Sequence, residues 1–223
     1  MALSIQVSAF DNGSFPQAIA EVLRAAARAE SAADGSLTLA FVASEFEQGH
    51  EKTDKYFAYF CGMFEDADIH FTHTCVVDAR MSAEEMQKAV TKADIVWISG
   101  GWTPTEWAYL EKYGLVEPLR KRTGITIGMS AGAINMAEIA ASTETLDERK
   151  LLVYPGLGLA PTTVEPHFDK DNIAPELTEL SYSRVIYGLC DEGAIVHKDG
   201  EITFIGDVYR LENGAATQIS FAE

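Results

Sequence analysis

The sequence has few cysteines, and they form no pattern. Its 223 residues contain three, at Cys61, Cys75 and Cys190, and none belongs to a Cys-x-x-Cys pair. An odd and scattered set supports neither a disulfide framework nor a zinc ribbon. We therefore expect a reducing compartment, which for this chain means the cytoplasm.

Positive charge and long apolar runs are also scarce. The chain has 17 lysines and arginines against 34 acidic residues, which gives a formal net charge of -17. Such a charge repels phosphate backbones and anionic lipid headgroups, so binding to nucleic acid or to a membrane is disfavoured. No uninterrupted apolar stretch approaches the roughly 20 residues that span a bilayer, and no basic region with an apolar stretch opens the chain. We expect a soluble protein without a targeting segment.

The composition itself is that of a globular protein. Hydrophobic residues make up 47% of the chain, which is enough for a sizeable core, and charged residues make up 23%. Short β-branched or aromatic runs alternate with longer helical patterns, which predicts an α/β fold with a doubly wound, mostly parallel sheet flanked by helices. A single α/β domain often reaches this length, so we expect residues 1–223 to form one domain.

The alternation also predicts the order of the elements. Strands are expected at 4–10, 37–43, 70–77, 94–99 and 125–129, and helices at 15–29, 51–64, 103–113 and 131–140. Ser82 is expected to cap a further helix, with Glu85 at the capping-box position. A long loop follows Glu144, then strands are expected at 162–165, 184–190, 194–197, 202–205 and 216–221. The aromatic face of 51–64 is interpreted as core.

The segment Gly128-Met129-Ser130-Ala131-Gly132 carries the clearest chemical signal. Gly-x-Ser-x-Gly between a strand and a helix is typical of a nucleophile elbow, in which a strained turn exposes the serine. Side chains at the flanking glycines would crowd the helix against the strand. Ser130 is thus the candidate nucleophile, and the Ala131 amide is a candidate oxyanion donor. Gly100 and Gly101 are either a second donor site or an ordinary turn.

A serine nucleophile needs a general base, and the five histidines are the candidates: His50, His70, His73, His167 and His197. His167 is favoured, because Pro166 restricts the chain before it. His197 lies beside a predicted turn and is interpreted as a surface residue. His70 and His73 would face opposite sides of a strand, so they do not predict a metal site.

The third member of a triad is a carboxylate that orients the imidazole. The residues alone leave the choice open among five acids near the site: Glu144, Asp147, Glu165, Asp191 and Glu192.

Three segments together resemble the dipeptidase E family of serine peptidases, which includes aspartyl dipeptidases and cyanophycinases. They are Ile98-Ser99-Gly100-Gly101, the stretch from Gly128 to Ala133, and Pro166-His167-Phe168. The resemblance spans about 94–193. It implies a fold similar to class I glutamine amidotransferases (flavodoxin-like), with the elbow after a central strand and a serine where those enzymes carry cysteine.

The resemblance also implies site roles. His167 takes the place of the family's base, and the amides of Gly100, Gly101 and Ala131 that of its oxyanion donors. The family's acid lies in a Gly-Leu-x-Glu-Gly segment, which 188–193 matches with one extra residue. Glu192 is therefore the first choice of acid and Asp191 the second. Glu144 and Asp147, downstream of the nucleophile, are the fallback.

Three further residues are candidates for substrate binding. Trp102 stands where the family usually has Asn, Thr103 follows it, and Arg184 is the only basic residue between Lys170 and Lys198.

The resulting prediction is a serine peptidase, a dipeptidase or small-peptide hydrolase that works through an acyl-enzyme. This chemistry implies no cofactor and no metal. A small peptide is the expected partner, and the protein is expected to be a monomer or a homodimer. Two alternatives stay open. One is a catalytically silent module of the same fold that binds a small ligand; the other is a small ester or amide hydrolase, for which His197 could serve as base.

Overall fold

The computed structural model describes residues 2–33, 35–145 and 151–222, so Asp147 lies outside the described residues. The strands are β1 (Ala2–Val7), β2 (Thr38–Val42), β3 (His73–Val77), β4 (Ile95–Ile98), β5 (Gly124–Met129), β6 (Ile139–Ser142), β7 (Leu152–Pro155), β8 (Thr163–Pro166), β9 (Ile186–Leu189), β10 (Ala194–Lys198), β11 (Glu201–Ile205), β12 (Val208–Glu212) and β13 (Ala215–Ser220). The helices are α1 (Gln17–Glu30), α2 (His50–Asp66), α3 (Ala83–Lys92), α4 (Thr103–Lys112), α5 (Val116–Lys121), α6 (Ala131–Met136) and α7 (Pro175–Leu180). Within the described ranges, no helix has both the length and the apolar character needed to cross a bilayer.

A seven-stranded sheet forms the centre, in the order β11-β10-β1-β5-β4-β2-β3. Five neighbouring strands pair in parallel, in the order β1, β5, β4, β2 and β3. Next to β1, strands β10 and β11 are added antiparallel. The predicted mostly parallel α/β sheet is therefore confirmed. A second sheet has the order β13-β12-β9-β8, in which β8 and β9 are parallel, and β6 pairs with β7 in a small hairpin.

Helices cover both faces of the main sheet because successive side chains of a strand point to opposite faces. In β2, Leu39 and Phe41 belong to a core shared with α1 and α2. Ala40 and Val42 belong to a second core shared with α3, α4, α5 and α6. The buried strands thus read as continuous apolar runs, which is typical of parallel sheets covered on both sides.

The parallel register places the ends of three central strands at one edge. Val7 at the end of β1 pairs with Met129, and Ile98 at the end of β4 pairs with Gly128. Ligands of open α/β sheets bind outside these carboxyl ends. Polar residues that follow these strands directly are therefore brought together.

The capping box at the start of α3 is confirmed. The Ser82 hydroxyl accepts a hydrogen bond from the Glu85 amide, and the Glu85 carboxylate accepts one from the Ser82 amide.

Several element predictions are wrong, most of them beyond residue 130. The helix after Ser130 ends at Met136, not at 140, because Ala137 turns extended and bridges Ala160, while the Glu138 amide bonds to the Ala160 carbonyl. Five elements were not predicted, since each is only four to six residues long: α5, β6, β7, α7 and β12. The strands of the tail divide between the two sheets.

Two glycine substitutions separate close packing from helix propensity. A Cβ on Gly132 would lie 2.3 Å from the Ile98 carbonyl oxygen, whereas a Cβ on Gly62 in α2 would meet nothing within 4 Å. We expect Gly132→Ala to lower the free energy of unfolding by about 1–3 kcal/mol through overpacking. Gly62→Ala should raise it by roughly 0.5–1 kcal/mol, since alanine favours the helix. Urea unfolding measures both, and equal changes in the two variants would contradict the packing argument.

Candidate active site

Ser130 sits in a strained turn between β5 and α6. Its backbone has φ 51° and ψ -112°, a conformation that non-glycine residues rarely adopt. The turn is held from both sides, because the Ser130 amide donates to the Val7 carbonyl and the Ser130 carbonyl accepts from the Ile134 amide. A Cβ on Gly128 would lie 2.5 Å from the Gly132 carbonyl oxygen, so the flanking glycines are required. The predicted elbow is present.

An imidazole and a carboxylate extend in line from this serine. His167 Nε2 lies 3.1 Å from Ser130 Oγ, and His167 Nδ1 lies 2.8 Å from Asp191 Oδ1. With its proton on Nδ1, the neutral ring donates to Asp191 and accepts from the serine hydroxyl. About half of the His167 side chain is exposed, so the ring is open to a ligand.

Parallel pairing in the second sheet brings the histidine and the carboxylate together. His167 follows β8 directly, and Asp191 lies two residues beyond β9. Pro166 pairs with Leu189 at the ends of these strands, so both residues leave the sheet at the same edge. His167 has a positive φ of 53°, which turns the chain sharply after Pro166.

Ser8, the residue directly after β1, forms hydrogen bonds to both His167 and Asp191. It is buried, its hydroxyl accepts a hydrogen bond from the His167 amide at 2.7 Å, and it donates to Asp191 Oδ1 at 2.9 Å. Sequence reasoning missed it because the first strand was expected to run to residue 10. The strand ends at Val7, so a polar residue just past a central strand was the available signal.

The first choice of acid, Glu192, does not contact the imidazole. Its side chain accepts a hydrogen bond from Asn12 Nδ2 at 2.6 Å, and its amide donates to the Ala9 carbonyl. Its backbone also has a positive φ of 66°. The carboxylate on His167 is therefore the second choice, Asp191.

The other described acids lie elsewhere. Glu144 Oε2 accepts hydrogen bonds from the Thr103 amide at 3.0 Å and from the Thr103 hydroxyl at 2.8 Å. It thus holds the start of α4. Burial, with the nearby charge of Glu144, raises the pKa of Glu165 to about 7.

Three of the other histidines have partners away from Ser130. His197 is buried, contrary to its interpretation as a surface residue, because β10 packs inside the main sheet. Its Nε2 lies 3.0 Å from Gln6 Oε1 and 3.1 Å from the Thr162 hydroxyl, and burial lowers its pKa to about 4. His50 Nε2 lies 3.0 Å from the Phe46 carbonyl, and the exposed His70 pairs with Asp68.

A cavity of about 410 Å³ opens over Ser130. Gly100, Gly101 and His167 line it on the side of the nucleophile. The glycine pair is tightly placed, since a Cβ on Gly100 would lie 3.1 Å from Ser130 Cβ and one on Gly101 would lie 2.3 Å from Ser44 Oγ. The opposite wall comes from the end of β2 and from α2, and includes Phe41, Glu45, Lys52, Tyr56 and Phe60.

The three residues expected to bind substrate do not line this cavity. Trp102 is the residue before α4 and is 46% exposed. Thr103 is buried, and its hydroxyl donates a hydrogen bond to Glu144. Arg184 lines a different cavity, beside Thr163 and Tyr187 of the second sheet. The lining opposite the nucleophile comes instead from residues 41–60, and the substrate-binding roles of Trp102, Thr103 and Arg184 stay predictions.

No group of three or more His, Cys, Asp or Glu side chains in residues 2–33, 35–145 and 151–222 could hold a metal ion.

A buried carboxyl supports the helix behind the elbow. Glu106 of α4 is fully buried, and its Oε2 accepts a hydrogen bond from Asn135 Nδ2 of α6 at 2.8 Å. The Tyr154 hydroxyl donates to the carbonyl oxygen of the same Asn135 side chain. Burial raises the pKa of Glu106 to about 8.

This carboxyl predicts a pH dependence of stability. The folded protein keeps the Glu106 proton up to about pH 8, whereas the unfolded chain loses it near 4.5. Its contribution to stability is therefore full below pH 4.5 and is lost as the pH rises through about 8, by at most about 1.4 kcal/mol per pH unit. Glu106→Gln has no proton to lose, so its stability relative to wild type should rise between pH 5 and 8. Urea unfolding across this range tests it; parallel curves for the two proteins would refute the assignment.

Comparisons with known proteins agree with this architecture. A model of peptidase family S51 matches residues 30–205. The crystal structure of a peptidase from an acI-B1 Actinobacterium superposes with a TM-score of 0.73 at 17% identity, covering 100% of this chain and 96% of that one. A candidate peptidase E protein from Listeria monocytogenes EGD-e gives 0.64 at 20% identity, with 92% and 98% covered. The search of curated proteins finds no match. At these identities the two structures establish the fold, and the predicted class I glutamine amidotransferase-like fold is confirmed.

Proposed function

The chain belongs to peptidase family S51, the dipeptidase E family, and from this membership we propose that it is a serine peptidase that hydrolyses short peptides through Ser130, His167 and Asp191. The observation that carries the proposal is the line of hydrogen bonds from Ser130 Oγ through the imidazole to Asp191. A cavity of about 410 Å³ over the serine suits a small ligand.

Acylation begins with proton transfer to the imidazole. His167 Nε2 takes the hydroxyl proton as Ser130 Oγ attacks the peptide carbonyl, and a tetrahedral intermediate forms. Asp191 accepts the Nδ1–H bond and stabilises the imidazolium. The same Nε2 then gives its proton to the leaving amine, so the peptide bond breaks and the acyl-enzyme remains.

Backbone amides are the proposed partners of the developing oxyanion. Ala131 is the first residue of α6, and the amides of a helix's first turn have no partner within the helix. Gly100 and Gly101 border the same cavity, and Gly100 packs directly against Ser130. Donors preset at this position stabilise charge that appears only during the reaction. Water activated by His167 then hydrolyses the acyl-enzyme and regenerates Ser130.

Ser8 is proposed as a positioning residue. It contacts both the His167 amide and Asp191 Oδ1, so it fixes the strained backbone of the base and the carboxylate together. Ser8 borders the cavity, but its hydroxyl is already engaged by the His167 amide and by Asp191, so it acts through these two residues.

Active-site labelling tests the nucleophile. A fluorescent phosphonate should react with the intact protein and should fail to react with Ser130→Ala, because the covalent bond forms at Oγ. Ser142→Ala, a buried serine outside the cavity, is the matched control and should be labelled as wild type. Equal labelling of wild type and Ser130→Ala would end the proposal.

A pair of neighbouring acids tests the base's partner. Asp191→Asn should lower kcat for a dipeptide by roughly 10³–10⁴-fold, because the amide favours the wrong imidazole tautomer. Glu192→Gln, one residue away, should retain activity within a few-fold, since its side chain bonds to Asn12 and not to His167. Steady-state kinetics of both variants decide between them; the reverse order of losses would make Glu192 the acid.

A further inference from the structure

The cavity wall next to the nucleophile is apolar. Met129 precedes Ser130 directly, and Phe41 and Phe60 line the same cavity. The two phenylalanine rings stack with centroids 6.1 Å apart, and both belong to the core on this face of the sheet. The wall is therefore rigid, and an apolar group placed against it loses no hydrogen bond.

Helix α2 continues this wall outward. Tyr56 also lines the cavity, one turn before Phe60 on the same helix face. The aromatic face of α2 was interpreted as core, which holds for Phe60 and Met63, but Tyr56 and Tyr59 are 51% and 44% exposed. A shallower hollow shares Lys52, Tyr56, Phe60 and Met129 with the cavity and reaches Lys55 and Tyr59 further out. Exposed aromatic rings in continuity with the nucleophile form a surface for a ligand.

Lys52 supplies a positive charge in the cavity over Ser130, whereas Lys55 lines only the outer hollow. Among the described residues Lys52 is the only lysine or arginine that lines the cavity, in a chain with a net charge of -17. Its Nζ lies over the Tyr56 ring at 5.6 Å. The described part of the chain offers it no ion pair: Glu45 Oε1 accepts a bond from the Tyr109 hydroxyl, and Asp54 is paired with Arg80. The ammonium is available to an anionic group of a ligand.

These features specify a substrate class. Resting on the proposed peptidase function, we propose that the cavity selects dipeptides of apolar or aromatic residues, whose free C-terminal carboxylate pairs with Lys52. A side-chain carboxylate would add a second anion. Among the described residues that line the cavity, Lys52 is the only lysine or arginine, and it would already be paired with the C-terminal carboxylate. The unpaired charge would lie against Met129 and Phe60, where it loses its hydration. An acidic dipeptide is therefore disfavoured.

Binding to the Ser130→Ala variant tests the proposal without turnover. Calorimetry should show Phe-Leu binding about tenfold tighter than Asp-Leu, and about tenfold tighter than Phe-Leu amide, as expected for one charge-assisted contact. When Lys52→Met is added to Ser130→Ala, the preference for Phe-Leu over Phe-Leu amide should disappear. The control is Lys92→Met, which makes the same charge change at an exposed lysine of α3 on the opposite face of the sheet. It should leave the preference for Phe-Leu over its amide unchanged. Tyr56→Ala should weaken Phe-Leu more than Ala-Ala.

Two results would overturn the proposal: tighter binding of Asp-Leu than of Phe-Leu, or equal effects of Lys52→Met and Lys92→Met. Phosphonate labelling of the wild-type protein distinguishes a failure of the proposed substrate class from a failure of the proposed peptidase function. A labelled enzyme that prefers Asp-Leu retains the function and loses the substrate class. An unlabelled protein that binds Phe-Leu as described loses the function and retains the binding site.

Discussion

The close approach of α6 to the ends of β4 and β5 is the constraint on which the site depends. Gly132 packs so near the Ile98 carbonyl that a single methyl group would not fit. Two residues before this contact, Ser130 turns the chain from β5 into α6 with a positive φ. The cost of such a conformation is on the order of 1–3 kcal/mol. It persists because the Ser130 amide donates to the Val7 carbonyl and the Ser130 carbonyl accepts from the Ile134 amide.

The serine alone would have no partner if the second sheet did not end beside it. Two parallel pairs, β1 with β5 and β8 with β9, bring their carboxyl ends to one place. Ser8 and Ser130 come from the first pair, and His167 and Asp191 from the second. The Ser8 hydroxyl bonds across this junction to both members of the second pair, so the two sheets are held in the alignment that the site requires.

Helix α2 serves both the fold and the cavity. Phe60 is buried against the sheet and still borders the cavity, so the side chain that stabilises the core also shapes the ligand's surroundings. A wall anchored in this way is preorganised, which lowers the entropy lost on binding. The two acids whose pKa values burial raises, Glu106 and Glu165, do not line the cavity, whereas Glu45 does.

By itself, the sequence determined the fold class, the first five strands of the parallel sheet, and the residues Ser130 and His167 as the ones to bring together. These depend on local signals: periodicity, flanking glycines and a proline before the histidine. The short elements α5, α7, β7 and β12 gave too few residues for a period to show. Only the tertiary structure shows that Asp191 contacts the imidazole while Glu192 bonds to Asn12, because two adjacent carboxylates are chemically alike in the sequence. It also decided the contributions of Ser8 and of the wall from α2, since strand pairing brings together residues far apart in the chain.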